Sequence, residues 1–381
     1  MRLILILLAI LIPSAGHTQD TNRIFWATEF GAKCDGHTDD HAAINAAIAA
    51  ASRFTTDTVV GGTVWLPGGR CYIDGSASSL RMLPNVELRG MGIGRTVIAY
   101  GEPQSGSMKP GIWGDPSNVS PAPERLHNMT LRDFTIEGQH NTAVWPKEQA
   151  YTVPPPVTDG RRWQPLIYFD RAENLVIDNV EARYGGSTGI GVYRSREVVL
   201  TNNKIYDVIG DGIDCWDTSD CNISGNRIQY TGDDSIAAHS GDTESPPIRA
   251  GLIISNNQIT DAQGIKVLGP KAAIISGNIV RRGLGFCIAA FADRVFQGDT
   301  PNFALRITNN VCEDIYQRRD RNMEQYYIAV GGAARQPGPA HREKGAASQA
   351  PGRSISVAAS GVVGRRCLEG AVYSATISPR A

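Results

Sequence analysis

From residue 172 onward one short phrase recurs: an aliphatic run, an asparagine, then one or two further apolar residues, with Asn179, Asn203, Asn226, Asn257, Asn278 and Asn310 marking the repeats. The steps between them are 24, 23, 31, 21 and 32 residues. A short period with occasional insertions predicts a solenoid of β coils, in which each coil buries its apolar face against the next and insertions leave as loops. The asparagine suits a turn, where its side chain bonds backbone and tolerates a left-handed conformation. Stacked in register, such residues form a ladder.

Each coil carries a second strand. Taking Ile190, Ile213, Ile236 and Ile265 as its inward anchors aligns Gly189-Ile190-Gly191-Val192, Gly212-Ile213-Asp214-Cys215, Ser235-Ile236-Ala237-Ala238 and Gly264-Ile265-Lys266-Val267. The period of two places one apolar face inward. Tyr193, Trp216 and His239 then share one outward column, and Asp214 and Lys266 the neighbouring one. A helical reading fails on the Gly and Asn density. Composition agrees: 41 glycines, 20% charged and 7% aromatic residues suit a turn-rich β protein.

The ends differ from the middle. Met1-Arg2, the apolar run Leu3 to Ile12 and Pro13-Ser14-Ala15-Gly16 have the plan of a secretory signal peptide, assigned to residues 1–19, with an apolar run too short to span a bilayer. An exported protein, secreted or periplasmic, is expected, with no membrane span. The solenoid is assigned to residues 20–330 and an irregular or disordered basic tail to 331–381. That tail holds seven Lys/Arg against Glu343 and Glu369, so with a total charge of -1 the body is about six charges negative, which excludes a nucleic-acid-binding body.

Near the start, Asp35-Gly36-His37-Thr38-Asp39-Asp40 leads into Ala42-Ala43-Ile44-Asn45-Ala46-Ala47-Ile48, read as a helix whose start is marked by a capping hydroxyl and carboxylates. Asp39 and Asp40 are structural on this reading. Gly61 to Gly69 and Tyr72-Ile73 read as strands of the first coil, and the helix as a cover for the solenoid's exposed edge. Two Pro-rich loops, Gly101 to Glu124 and Gln139 to Gln164, carry Trp113, Trp145, Tyr151 and Trp163, which either stack on sugar rings or pin the loops to the coils. Of seven cysteines, Cys34 with Cys71 is the expected disulfide, while Cys215 and Cys287 also read as small buried hydrophobes. No CxxC spacing is present to suggest zinc.

Chemistry concentrates in Gly210-Asp211-Gly212-Ile213-Asp214 and, one repeat later, Thr231-Gly232-Asp233-Asp234-Ser235-Ile236. Four carboxylates in a repeat otherwise built of Asn, Gly and aliphatics repel one another, and such clusters persist where they perform chemistry or hold a cation. Counting back two residues from each anchor Ile puts Asp211 and Asp234 in one column on adjacent coils, about 5 Å apart by strand spacing.

Phe30-Gly31-Ala32 with Asp35-Gly36 and Thr38-Asp39-Asp40, then Ala42-Ala43-Ile44 and Gly62-Thr63-Val64 with Leu66-Pro67, resembles the opening of the pectate-lyase-like superfamily. That resemblance implies an all-β fold, a single-stranded right-handed parallel β-helix with an N-terminal capping α-helix. Asp211-Gly212-Ile213-Asp214 and Gly232-Asp233-Asp234-Ser235-Ile236-Ala237 with Ser240-Gly241 look, more narrowly, like the polygalacturonase family of glycoside hydrolases. It implies hydrolysis with inversion and no cofactor, Asp211 and Asp234 activating water and Asp233 protonating the leaving oxygen.

Two departures detach the chain from that family's pectic substrate. The family's His-Gly falls at Gln263-Gly264, and its Arg-x-Lys near Phe286-Cys287-Ile288. Lys266, Arg249, Arg281, Arg282 and His239 are the alternative sources of charge, each also readable as a solvated surface residue. The expected substrate-binding set is Tyr193, Asp214, Trp216, His239, Gln263 and Lys266, facing an acidic polysaccharide. A lyase or epimerase with Lys266 or His239 as base, in which calcium enters, is the alternative reaction. A non-catalytic glycan-binding β-helix is the alternative class.

Overall fold

A computed structural model describes residues 23–56, 59–74, 79–101, 110–138, 165–240, 251–269, 272–291, 304–315, 326–331 and 355–358. The expected signal segment, Trp145, Tyr151, Trp163, Arg249 and most of the expected tail lie outside them. One coil shows the plan of the rest. Ile190–Tyr193 leads through Arg196–Thr201 and Lys204–Val208 to Ile213–Trp216, where the next coil begins. Each strand pairs in parallel with its counterpart one coil on, so Ile190, Ile213, Ile236, Ile265 and Ile288 lie in one register. The fold is a parallel β-helix with three faces, here called the site face, the far face and the flank.

The site face is a sheet of nine short strands running from Leu80–Arg81 to Tyr326–Gly331. Its anchors do what the alternation predicts. Ile190, Ile213, Ile236, Ile265 and Ile288 are all fully buried, each contributing roughly 2 kcal/mol of apolar burial. Ile205, Ile228, Ile259 and Val280 fill the core from the flank, and Leu200, Ile223, Ile254 and Ile275 from the far face.

The asparagine ladder forms, with one correction. Asn203, Asn226, Asn257, Asn278 and Asn310 stack with their side chains buried. Asn226 donates through its backbone and side-chain N–H groups to Asn257 Oδ1 at 3.0 and 2.9 Å, and Asn257 and Asn278 repeat the pattern one coil on. Each side chain also donates 2.9 Å to a far-face carbonyl, as Asn257 does to Ile223 O. Asn179 is not part of this stack. It sits one position earlier, donates to Asp133 Oδ1 at 2.9 Å, and shares its left-handed backbone with Asn202, Asn256 and Asn309. The turn therefore divides its two demands between neighbours: the first residue turns the chain and the second fills the ladder.

Helix α1 (His41–Arg53) buries Ile44, Ala47, Ile48 and Ala51, one helical stripe. It packs on strands Ile24–Trp26, Gly62–Trp65, Leu80–Arg81 and Val86–Arg89. Its start departs from the expected cap. Thr38 donates its hydroxyl to Asp35 Oδ2 at 2.9 Å, while the buried Asp40 carboxylate accepts from Lys33 N at 2.6 Å and Cys34 N at 3.0 Å, pinning the preceding turn. Asp39 comes nearest to the expected role, accepting from His41 N at 3.2 Å.

Cys34 and Cys71 form a disulfide, as expected. Cys287 does as well, with Cys312, which corrects its reading as a lone buried hydrophobe. Cys215 and Cys221 are free and buried. Part of the first expected loop belongs to the solenoid: Ile112–Gly114 is a site-face strand, with Trp113 opposite Tyr168. Within the span expected as an irregular tail, Ile355–Ala358 pairs in parallel with Ala304–Thr308.

Candidate active site

The turns between flank and site face carry the acidic cluster, and glycine sets their shape. A side chain at Gly232 would place its Cβ 1.9 Å from Ile209 O, and one at Gly212 would meet Ser235 O at 2.5 Å. Only glycine lets adjacent turns approach this closely, and the approach stacks Asp211 on Asp234. Asp234 N donates to Asp211 Oδ1 at 2.9 Å. Asp233 N donates to Gly210 O at 3.2 Å, and Thr231 Oγ1 donates to Asp233 O at 2.8 Å. One carboxylate oxygen each from Asp211, Asp233 and Asp234 lies within 4.8 Å of the others.

Crowding perturbs every member whose shift is resolved. Burial first, then the charges of Asp214, Asp234 and Asp233, push the Asp211 carboxyl well above the usual range, with Lys266 opposing. Burial pushes Asp234 up to about 6 although the Lys266 ammonium opposes the rise. Burial alone would lower Lys266, but Asp234, Asp233 and Asp211 outweigh it and hold its pKa above the usual lysine value. Lys266 Nζ stands 3.2 Å from Asp234 Oδ2. Carboxylates this close cannot all ionise freely, which is why burial and mutual charge raise Asp211 and Asp234 together.

The next column presents Asp214, Ala237 and Lys266 on successive strands. Asp214 is buried; its Oδ2 accepts from the Tyr193 hydroxyl at 2.6 Å, and its Oδ1 has no partner among the described residues. Burial raises its pKa against the opposing influence of His239 and the Tyr193 bond. The aromatic column follows. Tyr193 and Trp216 have ring centroids 6.0 Å apart, and Trp216 and His239 stack at 5.3 Å. Gln263 shares the Asp211–Asp234 column and is buried, its carbonyl accepting from Ser235 Oγ.

The structure thus brings Asp211, Asp233, Asp234, Asp214, Tyr193, Trp216, His239, Gln263 and Lys266 to one region of the solenoid. Two other candidate cations stand elsewhere: Arg281 pairs with Glu313 at 2.6 Å and Arg282 with Asp261 at 2.6 and 2.7 Å, both beside the flank. Phe286, Cys287 and Ile288 are buried and apolar, so that coil offers none of the cations the resemblance would place there.

Sequence reasoning missed one end of the face. Stepping back 23 residues from Ile190 reaches its register partner Ile167, which sets Tyr168 and Asp170 on the same outward side. Tyr168 meets the Tyr193 ring edge-on at 5.1 Å, and burial, followed by Asp170, pushes its pKa up to about 12. Asp170 is buried beneath the Arg194 guanidinium, whose Nε donates to it at 2.6 Å. The signal was the anchor register itself, extended one coil further back than the asparagine repeat.

Comparison with known proteins agrees with this architecture. The family described as "Right handed beta helix region" matches residues 161–293. Among solved structures, the Family 28 exopolygalacturonase of Yersinia enterocolitica covers 81% of this chain and 65% of its own length at a TM-score of 0.58 and 17% identity. The fold is therefore a right-handed β-helix, consistent with the pectate-lyase-like superfamily. In sequence the chain is 30% identical over 201 residues to alginate lyase 7 of Azotobacter vinelandii, covering 47% of this chain and 22% of that one. Mannuronan C5-epimerase AlgE1 of the same organism is 45% identical over 122 residues, 30% of this chain and 8% of that one. The chain thus spans about a fifth or less of the length of these two relatives.

Proposed function

We propose that the chain is an exported enzyme acting on polysaccharide, and that Asp211, Asp233 and Asp234 cleave a glycosidic bond by acid–base chemistry. One observation carries this reading: the three carboxylates lie within 4.8 Å of one another, and burial raises Asp211 and Asp234. A crowded set of carboxyls divides into a proton holder and proton acceptors, the division that glycoside hydrolysis needs. In the proposed roles, which follow the polygalacturonase resemblance, Asp233 protonates the leaving oxygen while Asp211 and Asp234, acting once they have lost their own protons, hold the attacking water, giving inversion without a cofactor. One oxygen of each carboxylate lies within 4.8 Å of the others, nearer the ~5–5.5 Å of retaining pairs than the ~6.5–9.5 Å of most inverting pairs, so inversion rests on the resemblance alone. Proton NMR of the first-formed anomer tests this form; retention overturns inversion and leaves hydrolysis standing.

Tyr193, Trp216 and His239 form the platform on which sugar rings stack, burying apolar faces while hydroxyls stay free to bond. Asp214 positions the Tyr193 hydroxyl, and Gln263 and Lys266 border the reacting sugar. On the same reading α1 covers the N-terminal end of the solenoid.

A lyase or epimerase is the second reading, favoured by the Lys266–Asp234 pair and by the names of the sequence relatives. An ammonium held protonated by three carboxylates is a poor base and a good partner for a uronate carboxylate. That leaves His239 as the base in this version. Calcium belongs to it as well, with Asp211, Asp233 and Asp234 as oxygen donors in competition with Lys266. Purified protein tested on uronate-containing and neutral polysaccharides, with reducing ends, near-ultraviolet absorbance and the C5 configuration of the uronates by proton NMR read together, separates the two, an epimerase changing only the last. Reducing ends without absorbance, lost in Asp233→Asn, are expected; absorbance abolished by chelator selects the second reading. Binding without turnover of any polysaccharide overturns both.

A further inference from the structure

A groove of about 570 Å³ runs along the outside of the flank, on the strands that lead into the acidic turns. Its floor is two outward rows in register. Glu181, Lys204, Arg227 and Gln258 form one, and Arg183, Tyr206, Gln229 and Thr260 the other. The buried Ile205 and Ile228 between them face the core.

Charge in this groove is unbalanced. Lys204 and Arg227 are register partners on adjacent strands and both are exposed. Like charges directly opposite each other across a parallel pair, about 4.8 Å apart by strand spacing, destabilise a sheet. The carboxylate lining the groove, Glu181, is taken: Arg183 Nη1 donates to it at 2.9 Å, and the same guanidinium donates to Glu137 at 2.8 and 3.0 Å. Lys204 and Arg227 therefore have no ion pair among the described residues. Beside them Tyr206 is fixed edge-on between Tyr184, 6.0 Å away, and Tyr230, 5.4 Å away.

Two adjacent cations beside a braced aromatic row suit a ligand carrying carboxylates on apolar-faced rings. We infer that the flank groove is a second binding site, for an anionic polysaccharide chain whose carboxylates meet Lys204 and Arg227 and whose ring faces pack on Tyr206. The strand Arg227–Thr231 runs directly into Gly232 and Asp233, so the groove lies within roughly 20 Å of the acidic cluster along an extended chain. It holds the polymer next to the site whichever reaction occurs there.

The test compares Asp233→Asn protein with the same protein also carrying Lys204→Gln and Arg227→Gln, so that turnover consumes no polymer. Affinities for polygalacturonate, alginate and a neutral polysaccharide of similar length are measured by calorimetry at low and raised salt. Salt-sensitive binding of a polyuronate that falls at least fivefold in the groove variant, at a Tm no lower than that of the parent, is the expected result. An unchanged affinity, or an equal loss for the neutral polymer, overturns the inference. Equal binding of single-stranded nucleic acid marks a general polyanion patch and overturns the sugar assignment. Because the readout is binding, failure of the proposed reaction leaves this outcome intact and separately legible.

Discussion

Two stacks of polar side chains run through the same coils, and they are built on opposite terms. In the asparagine ladder every inner member both donates and accepts, so Asn226, Asn257 and Asn278 are buried at little net cost. The acidic stack, with Asp214 and Asp234 buried and Asp211 and Asp233 half-buried, lacks that reciprocity. Asp211 and Asp234 repel, Asp214 Oδ1 has no partner among the described residues, and Lys266 is the ammonium that Asp234 pairs with. Mutual hydrogen bonding in one stack and mutual repulsion in the other separate them. On the proposed reading, the first can be removed only at a cost in stability and the second only at a cost in activity.

The largest effect expected from this contrast is on catalysis. Asp233→Asn should lower turnover by about 10²- to 10⁴-fold, the usual worth of a positioned acid or base, with Tm unchanged. A loss of stability in step with activity would erase the distinction between the stacks. Asn257→Leu should do the reverse. It strands Asn226 N and Ile223 O in the core, costing about 3 kcal/mol, read as a shifted denaturation midpoint while turnover per folded molecule stays the same.

The third expectation concerns pH. Asp234 rises from 3.8 to about 6 on folding, so the folded state binds the proton more tightly. The stability this gives is complete below the unfolded value and is lost as pH rises through about 6. The loss is at most about 3 kcal/mol. Denaturation midpoints of Asp234→Asn between pH 4 and 7 should show a smaller decline, the remainder coming from Asp211 and Asp214; an identical decline would show that Asp234 does not contribute. Activity should climb over the same interval if Asp234 accepts a proton, as its proposed role requires, and fall if Asp234 is the donor. The smallest effect is at the platform: Trp216→Ala should weaken binding by roughly 1 kcal/mol, seen as a higher KM at nearly constant kcat.

Much of this was legible before any coordinates. The isoleucine anchors fix the register because a slip of one residue would expose every inward side chain, so period-two patterning alone placed Tyr193, Trp216 and His239 in one column and Asp211 beside Asp234. Cys34 with Cys71 was legible as well. Asn179 was misassigned because left-handed and ladder positions are adjacent and both accept asparagine. Asp40 was misassigned because a carboxylate at a helix start serves the helix or the turn before it with equal ease. The pairing of Cys287 with Cys312 joins residues 25 apart on different strands, and sequence spacing does not encode it.

Periodicity is a local property repeated, and a repeated local property is what a sequence can declare: it determined the coil, the inward face and the identity of the stacked residues. The balance of forces at the stack is a property of three dimensions. That Lys266 reaches back one coil to Asp234 and that Tyr193 claims one oxygen of Asp214 depends on which side chains meet across coils 21 to 32 residues apart. Charge interactions act through space and burial rather than along the chain, so the sequence named the acids and the tertiary structure decided which of them burial and neighbouring charge raise.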